Sequence, residues 1–215
     1  MMSSLSSRNI KMIKLAFFDY SGTVVKGSGN RAVADYMGKG KEFDEIFRRF
    51  VSNEISDEEF IVFIIGLWKD FYLGMLTEII GRVEPSENIQ EVLEQLKSNG
   101  VKLALVSHIP QQLAGLYAEW GFDYTYGNEC EVVDGKFTGK VLKTSPDKGS
   151  VVRDICDRLR IRPDECIAVG DSRADIPMFG AVGYDNSFAY RANEQVNRYA
   201  KHHIKDFKEI MGIIR

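Results

Sequence analysis

Three short apolar runs, IKLAFF ending at Phe18, VKLALV ending at Val106 and CIAVG ending at Gly170, each stop at a polar residue: Asp19, Ser107 and Asp171. Their brevity, β-branched content and lack of clean alternation suit strands buried on both faces of a parallel sheet. Helical patterns separate them. The segment SENIQEVLEQLKSNG places Ile89, Val92, Leu93 and Leu96 at helical spacing and stops at Gly100, just before the second run. Pro146-Asp147 opens a further helix with Val151, Val152, Ile155 and Leu159 on one face, before the third run. This alternation predicts an α/β core with a parallel sheet and helices on both faces. Glu131–Gly139 reads as a β-hairpin around Asp134-Gly135, and residues 191–215 read as mostly helical.

Between the first run and residue 82 the pattern is helix after helix, so residues 26–81 read as an insertion into a core made of 1–25 and 82–215. Ser56 and Glu59 form a capping-box pair at the start of one inserted helix. In that helix Phe60, Phe63, Ile64, Leu67 and Phe71 make one stripe, while Ile61, Val62, Ile65 and Trp68 make the other faces apolar too. Such a helix must be buried, line an apolar pocket or meet another surface, and a homodimer contact through the insertion is one such outcome.

At 215 residues and 44% hydrophobic content the chain can bury a core of this kind. A formal charge of −3 gives no footprint for nucleic acid or an anionic membrane. The longest apolar run, Phe60 to Trp68, is nine residues, against the ~20 of a membrane-spanning helix. Cys130, Cys156 and Cys166 match no metal-knuckle spacing and read as reduced thiols. The serine-rich start, MMSSLSSRNIKM, lacks the apolar core of a secretory signal and reads as a loose tail, so a cytoplasmic protein is expected. His202-His203 reads as a solvated pair rather than a metal site.

In open α/β sheets the carboxyl ends of the strands converge on one crevice, where ligands bind. Taken singly, Asp19 and Asp171 could each be a turn residue, and Ser107 could cap a helix starting near Pro110. Together with Lys148 and the loop GDSRAD, Gly170 to Asp175, they form a coherent set. Two carboxylates from different strands suit Mg²⁺. A carboxylate can also attack phosphorus when metal and cationic groups neutralise the phosphoryl oxygens, a task open to Lys148 and the Ser107 hydroxyl. Asp175 could orient waters on the metal or hold Lys148 in place.

With these residues in view, the chain resembles the haloacid dehalogenase (HAD) superfamily, and more narrowly its phosphoserine phosphatase-like branch. Four motifs match in order: DYSGT at Asp19–Thr23, VSH at Val106–His108, Lys148 in SPDKGSVV, and GDSRADIPMF from Gly170. The likeness runs from about Pro85 to the end, through the hairpin before Lys148 and a strand-turn after Gly183. The resemblance implies a Rossmann-like core and an all-helical cap that closes over the site. It also implies Mg²⁺-dependent hydrolysis of a small phosphorylated metabolite through an aspartyl-phosphate. Asp19 would be the nucleophile. Asp19, Asp171 and the backbone carbonyl of Ser21 would hold the metal, Ser107 and Lys148 the phosphoryl group, with Thr23 and Asp175 in support.

Several positions depart from that pattern. Phosphatases of this family carry a second Asp two residues after the nucleophile, where this chain has Ser21. The carbonyl ligand survives this change, but general acid-base catalysis, typically worth about 10² to 10⁴ in rate, does not. P-type ATPases tolerate a hydroxyl residue there because their leaving group needs no proton. Phosphonoacetaldehyde hydrolases lack the acid and use a cap lysine, a role for which Lys39 or Lys41 would be candidates. A phospho-ligand-binding protein with weakened turnover and a phosphonatase-like C–P hydrolase are therefore the alternatives to a phosphatase. His108 replaces the branch's usual glycine, either as a substitute acid-base group or as a polar residue on the substrate-binding rim. KGSGN at Lys26–Asn30 and FIVFIIGLW at Phe60–Trp68 stand where phosphoserine phosphatases carry an acid and an arginine for the amino acid. An apolar or aromatic ester is thus expected to serve better than phosphoserine.

Overall fold

A computed structural model describes residues 12–214. The expected N-terminal tail lies outside the described residues except for Met12, which is exposed. Seven strands form one sheet: β1 (Leu15–Phe18), β2 (Lys102–Pro110), β3 (Tyr124–Val133), β4 (Lys136–Lys143), β5 (Cys166–Gly170), β6 (Ser187–Tyr190) and β7 (His202–Ile204), in the order β4-β3-β2-β1-β5-β6-β7. All pairs are parallel except β3–β4. The hairpin turn has positive φ at both Asp134 and Gly135, which matches the twist of the two strands.

The four residues of β1 are all buried because the strand is covered on both faces. Ala16 and Phe18 join a cluster with Ile89, Val92 and Leu96 of α5 (Ile89–Ser98). Leu15 and Phe17 join another with Val151, Val152 and Ile155 of α7 (Lys148–Leu159) and Phe179 of α8 (Ile176–Val182). Burial of one such Phe or Leu contributes about 1.5–3 kcal/mol. Helix α6 (Gln111–Leu116) follows β2 directly.

Four α-helices lie between β1 and α5: α1 (Gly29–Tyr36), α2 (Gly40–Val51), α3 (Asp57–Leu67) and α4 (Leu76–Ile80). The capping box of α3 is present: Ser56 Oγ accepts from Glu59 N at 3.1 Å, and Glu59 accepts from Ser56 N at 2.8 Å. The all-apolar helix is answered mainly by burial. Ile61, Ile64, Ile65 and Trp68 are buried, while Val62 and Phe63 are exposed. Trp68 packs on Phe137 of β4 with ring centroids 5.0 Å apart. Backbone bonds from Asp70 N to Phe137 O (2.9 Å) and Phe137 N to Phe71 O (3.0 Å) tie this segment to the hairpin.

The C-terminal stretch is less helical than its pattern suggests. Between α9 (Glu194–Asn197) and α10 (Lys208–Ile213) runs β7, which contains His202 and His203. His202 Nε2 donates to Asp185 O (3.1 Å) and His203 Nε2 lies 2.9 Å from Asn197 O, so backbone carbonyls engage both rings. A three-residue edge strand carries too little period to stand out in sequence. The three cysteines are free and buried, and no helix among the described residues is long and apolar enough to cross a membrane.

Candidate active site

β1 lies between β2 and β5, with Phe18 opposite both Leu105 and Val169, so the residues after these strands emerge side by side at the carboxyl edge. Asp19 is buried there, and its N–H donates to Val169 O at 3.0 Å. The chain then turns back: Thr23 N (3.3 Å) and Val25 N (3.1 Å) both donate to Tyr20 O. Gly22 makes the turn at φ +79, and a Cβ there would stand 2.4 Å from Asp171 Oδ2. The positive φ favours glycine, and any side chain there would also displace the Asp171 carboxylate. The turn aims Thr23 Oγ1 at Asp171 Oδ1, 3.1 Å away.

Lys148, the first residue of α7, is only 3% exposed. Asp147 caps that helix by accepting from Ser150 N at 3.1 Å. The Lys148 ammonium donates to Asp19 Oδ1 and, at 2.6 Å, to Asp175 Oδ1. The other oxygen of Asp175 accepts from Asp171 N (3.0 Å), Ser172 N (2.9 Å) and Ser172 Oγ (3.0 Å). Asp175 is thus engaged by its own turn and by Lys148. Of the two roles open to it in sequence, this geometry matches the holding of Lys148.

The electrostatics are lopsided. Oxygens of Asp19, Asp171 and Asp175 lie within 4.8 Å of one another around the single Lys148 ammonium. Burial raises Asp19 to about 6 against the opposing pull of Lys148. Burial, then repulsion from Asp19 and Asp175, raises Asp171 to about 8. Burial draws Lys148 down, but attraction to Asp175 and Asp19 outweighs it and holds the ammonium above its ordinary value. A carboxylate cluster this crowded fits a divalent cation, whose charge would offset the repulsion. Asp19 and Asp171 have the chemistry to hold it.

Ser107 is buried within β2 rather than just past it, since the strand runs on to Pro110, and His108 beside it lines a cavity of about 310 Å³ together with Lys148, Asp147 and the α3 residues Asp57, Glu58 and Ile61. Burial, then Lys148, lowers the His108 imidazole to about 4, which favours the neutral ring at pH 7. Ser21 directs its hydroxyl to Ser28 Oγ at 3.3 Å. Of the apolar residues of α3, Ile61 alone lines this cavity, so its wall is more polar than the pattern of α3 implies. Lys39 is spent on the Leu67 carbonyl at 2.8 Å and Lys41 is exposed. Neither lines the cavity.

Two features went unread in sequence. Arg173, inside GDSRAD, bonds Asp57 of α3 at 2.9 Å and stacks 5.0 Å from the Phe50 ring centre, joining the motif loop to the inserted helices. Asn128 is fully buried in β3, and its one signal was an amide residue in a strand that would favour a β-branched one.

A family model described as haloacid dehalogenase-like hydrolase matches residues 16–180. A phosphoserine phosphatase of Methanocaldococcus jannaschii is 27% identical over 210 residues, covering 95% of this chain and 99% of the relative. One of Archaeoglobus fulgidus is 29% identical over 179 residues, covering 81% of this chain but only 52% of the relative, about half its length. Among solved structures, a phospho-aspartyl intermediate analogue of phosphoserine phosphatase superposes with a TM-score of 0.82 at 27% identity, covering 95% of this chain and 100% of that one. With the motifs assembled at one sheet edge and the family match running from β1 into α8, the chain belongs to the haloacid dehalogenase-like hydrolases, in the branch similar to phosphoserine phosphatases.

Proposed function

We propose that the chain is a Mg²⁺-dependent phosphatase that acts on a small phosphate ester through an aspartyl-phosphate on Asp19. The observation that carries this reading is the Asp19 carboxylate at the end of the central strand, held by Lys148 beside Asp171. The Asp19 oxygen that Lys148 does not hold attacks phosphorus. As the new O–P bond forms, the ester P–O bond breaks and its electron pair leaves with the alkoxide. Water then attacks the phosphorus, releasing inorganic phosphate and restoring the carboxylate. Lys148 and the Ser107 hydroxyl hold the phosphoryl oxygens, and Asp175 and Thr23 orient Lys148 and Asp171. Mg²⁺, when held by Asp19, Asp171 and the Ser21 carbonyl, supplies neutralising charge at the phosphoryl oxygens. Residues 26–81 act as the helical cap over the core of 1–25 and 82–215, a division supported by the Arg173–Asp57 contact.

Ser21 cannot protonate the alkoxide and His108 is neutral, so esters whose leaving group departs without a proton are the preferred substrates. Among the described residues Lys148 is the one Lys or Arg lining the cavity, and it is already bonded to two carboxylates, so the carboxylate of phosphoserine finds no free ammonium or guanidinium among them. The same missing acid favours a second reading, a phospho-ligand-binding protein of slow turnover. A screen of aryl, acyl and alkyl phosphates and phosphoserine with Mg²⁺, with the phosphoenzyme trapped by acid quench, separates them. Turnover of aryl or acyl phosphates with a labelled Asp19 supports the phosphatase. Saturable phosphate binding without turnover supports the binding protein. Rapid hydrolysis of phosphoserine overturns the substrate reading.

A further inference from the structure

The β2–β3 seam breaks where the phosphate-holding residues begin. Val106 pairs with Tyr126 and Pro110 with Asn128, so β2 carries two more residues than β3 across that interval. Ser107, His108 and Ile109 bulge out of the ladder, the device by which strands re-aim side chains near active sites. Side chains close the gap. Gln111 Oε1 accepts from Gly127 N at 2.8 Å, and a Cβ on Gly127 would stand 2.5 Å from Ile109 O, so the backbones nearly touch.

Asn128 sits where the ladder resumes, opposite Pro110, and is fully buried. Its Nδ2 donates to the His108 carbonyl, and its Oδ1 accepts from Ser145 N at 2.8 Å. A carbonyl only accepts and an N–H only donates, so these partners fix the orientation of the amide. His108 follows Ser107 in the bulge, and Ser145 lies in the loop that leads to Lys148. One side chain therefore bridges the two segments that carry the phosphate-holding groups, where the backbone ladder does not.

We infer that Asn128 is a positioning residue of the phosphate site, its amide setting the spacing between the Ser107 bulge and the Lys148 helix; this rests on the reading of Ser107 and Lys148 as the pair that holds phosphate. Small misplacements of such groups are costly, and partners of this kind are typically worth about 10 to 100-fold.

The test is calorimetric titration of inorganic phosphate, with Mg²⁺ present, into wild type, Asn128→Leu, Asn128→Asp and Gln112→Ala, with Tm measured for each. Asn128→Leu removes both bonds at similar size. Asn128→Asp keeps the acceptor for Ser145 and serves if the leucine variant fails to fold. Gln112, in α6 just past the seam, bonds Cys130 O of β3 at 3.1 Å and controls for a merely structural loss. Both Asn128 variants are expected to weaken phosphate by about 10 to 100-fold, while Gln112→Ala lowers Tm without changing phosphate affinity. Unchanged affinity in the Asn128 variants, or an equal loss in Gln112→Ala, overturns this inference alone. Wild type that binds no phosphate overturns the reading of the site and the inference with it.

Discussion

The charged groups at the sheet edge and those at the cavity mouth are held in opposite ways. At the edge, Lys148 from α7 binds carboxylates that follow β1 and β5, and Asp175 is further gripped by its own turn. All three side chains are buried. At the mouth, Asp57 and Arg173 meet in one ion pair with each side chain about half exposed, 48% and 47%. Groups that must meet a transition state gain from being fixed in advance, since no reorganisation remains at the moment of reaction. An exposed ion pair of this kind is worth about 0–1 kcal/mol and fixes its two side chains far less firmly.

The comparison breaks most visibly at Asp19. Asp19→Asn is expected to abolish turnover and covalent labelling with an unchanged circular dichroism spectrum, because an amide cannot act as the nucleophile. Near-wild-type turnover would remove the edge cluster from the chemistry. Next in size is Ser21→Asp, expected to speed alkyl-phosphate cleavage and phosphoenzyme breakdown by up to about 10² to 10⁴ while changing aryl phosphates little. Single-turnover kinetics on both ester classes check this, and equal rates on both in wild type would mean that another group donates the proton.

A third test uses pH in the presence of a chelator. Asp19 at about 6 and Asp171 at about 8 lie above their unfolded values, so the folded state binds protons more tightly. Their contribution to stability is present at pH 4 and is lost as pH rises through these values. Tm should fall between pH 5 and pH 8, less so in Asp171→Asn, which should also lose the Tm increase brought by Mg²⁺. A flat Tm profile in wild type would refute the crowding at the edge. The smallest effect belongs to the mouth: Arg173→Ala should cost no more than about 1 kcal/mol of stability and change KM more than the rate of phosphoryl transfer. A large fall in single-turnover rate would show that the mouth is as tightly coupled to the chemistry as the edge.

The sequence by itself determined the α/β class, the strands that stop at Asp19 and Asp171, the hairpin at Asp134-Gly135 and the helices at Ile89 and Lys148, because each rests on local period, caps and turn residues, whereas the second strand runs past Ser107 to Pro110. The sequence also set Ser21 two residues after Asp19, the position on which the proposed substrate preference turns. Only the tertiary structure decided that Asp175 grips Lys148, that Asn128 bridges a broken ladder and that Arg173 reaches Asp57. Each of these joins residues far apart in the chain, by contacts that leave no period. The apolar helix after Ser56 shows the same limit. Its composition demanded burial, but whether against a cavity, a partner or the hairpin depended on the backbone bonds from Asp70 and Phe71 to Phe137, which place Trp68 on β4.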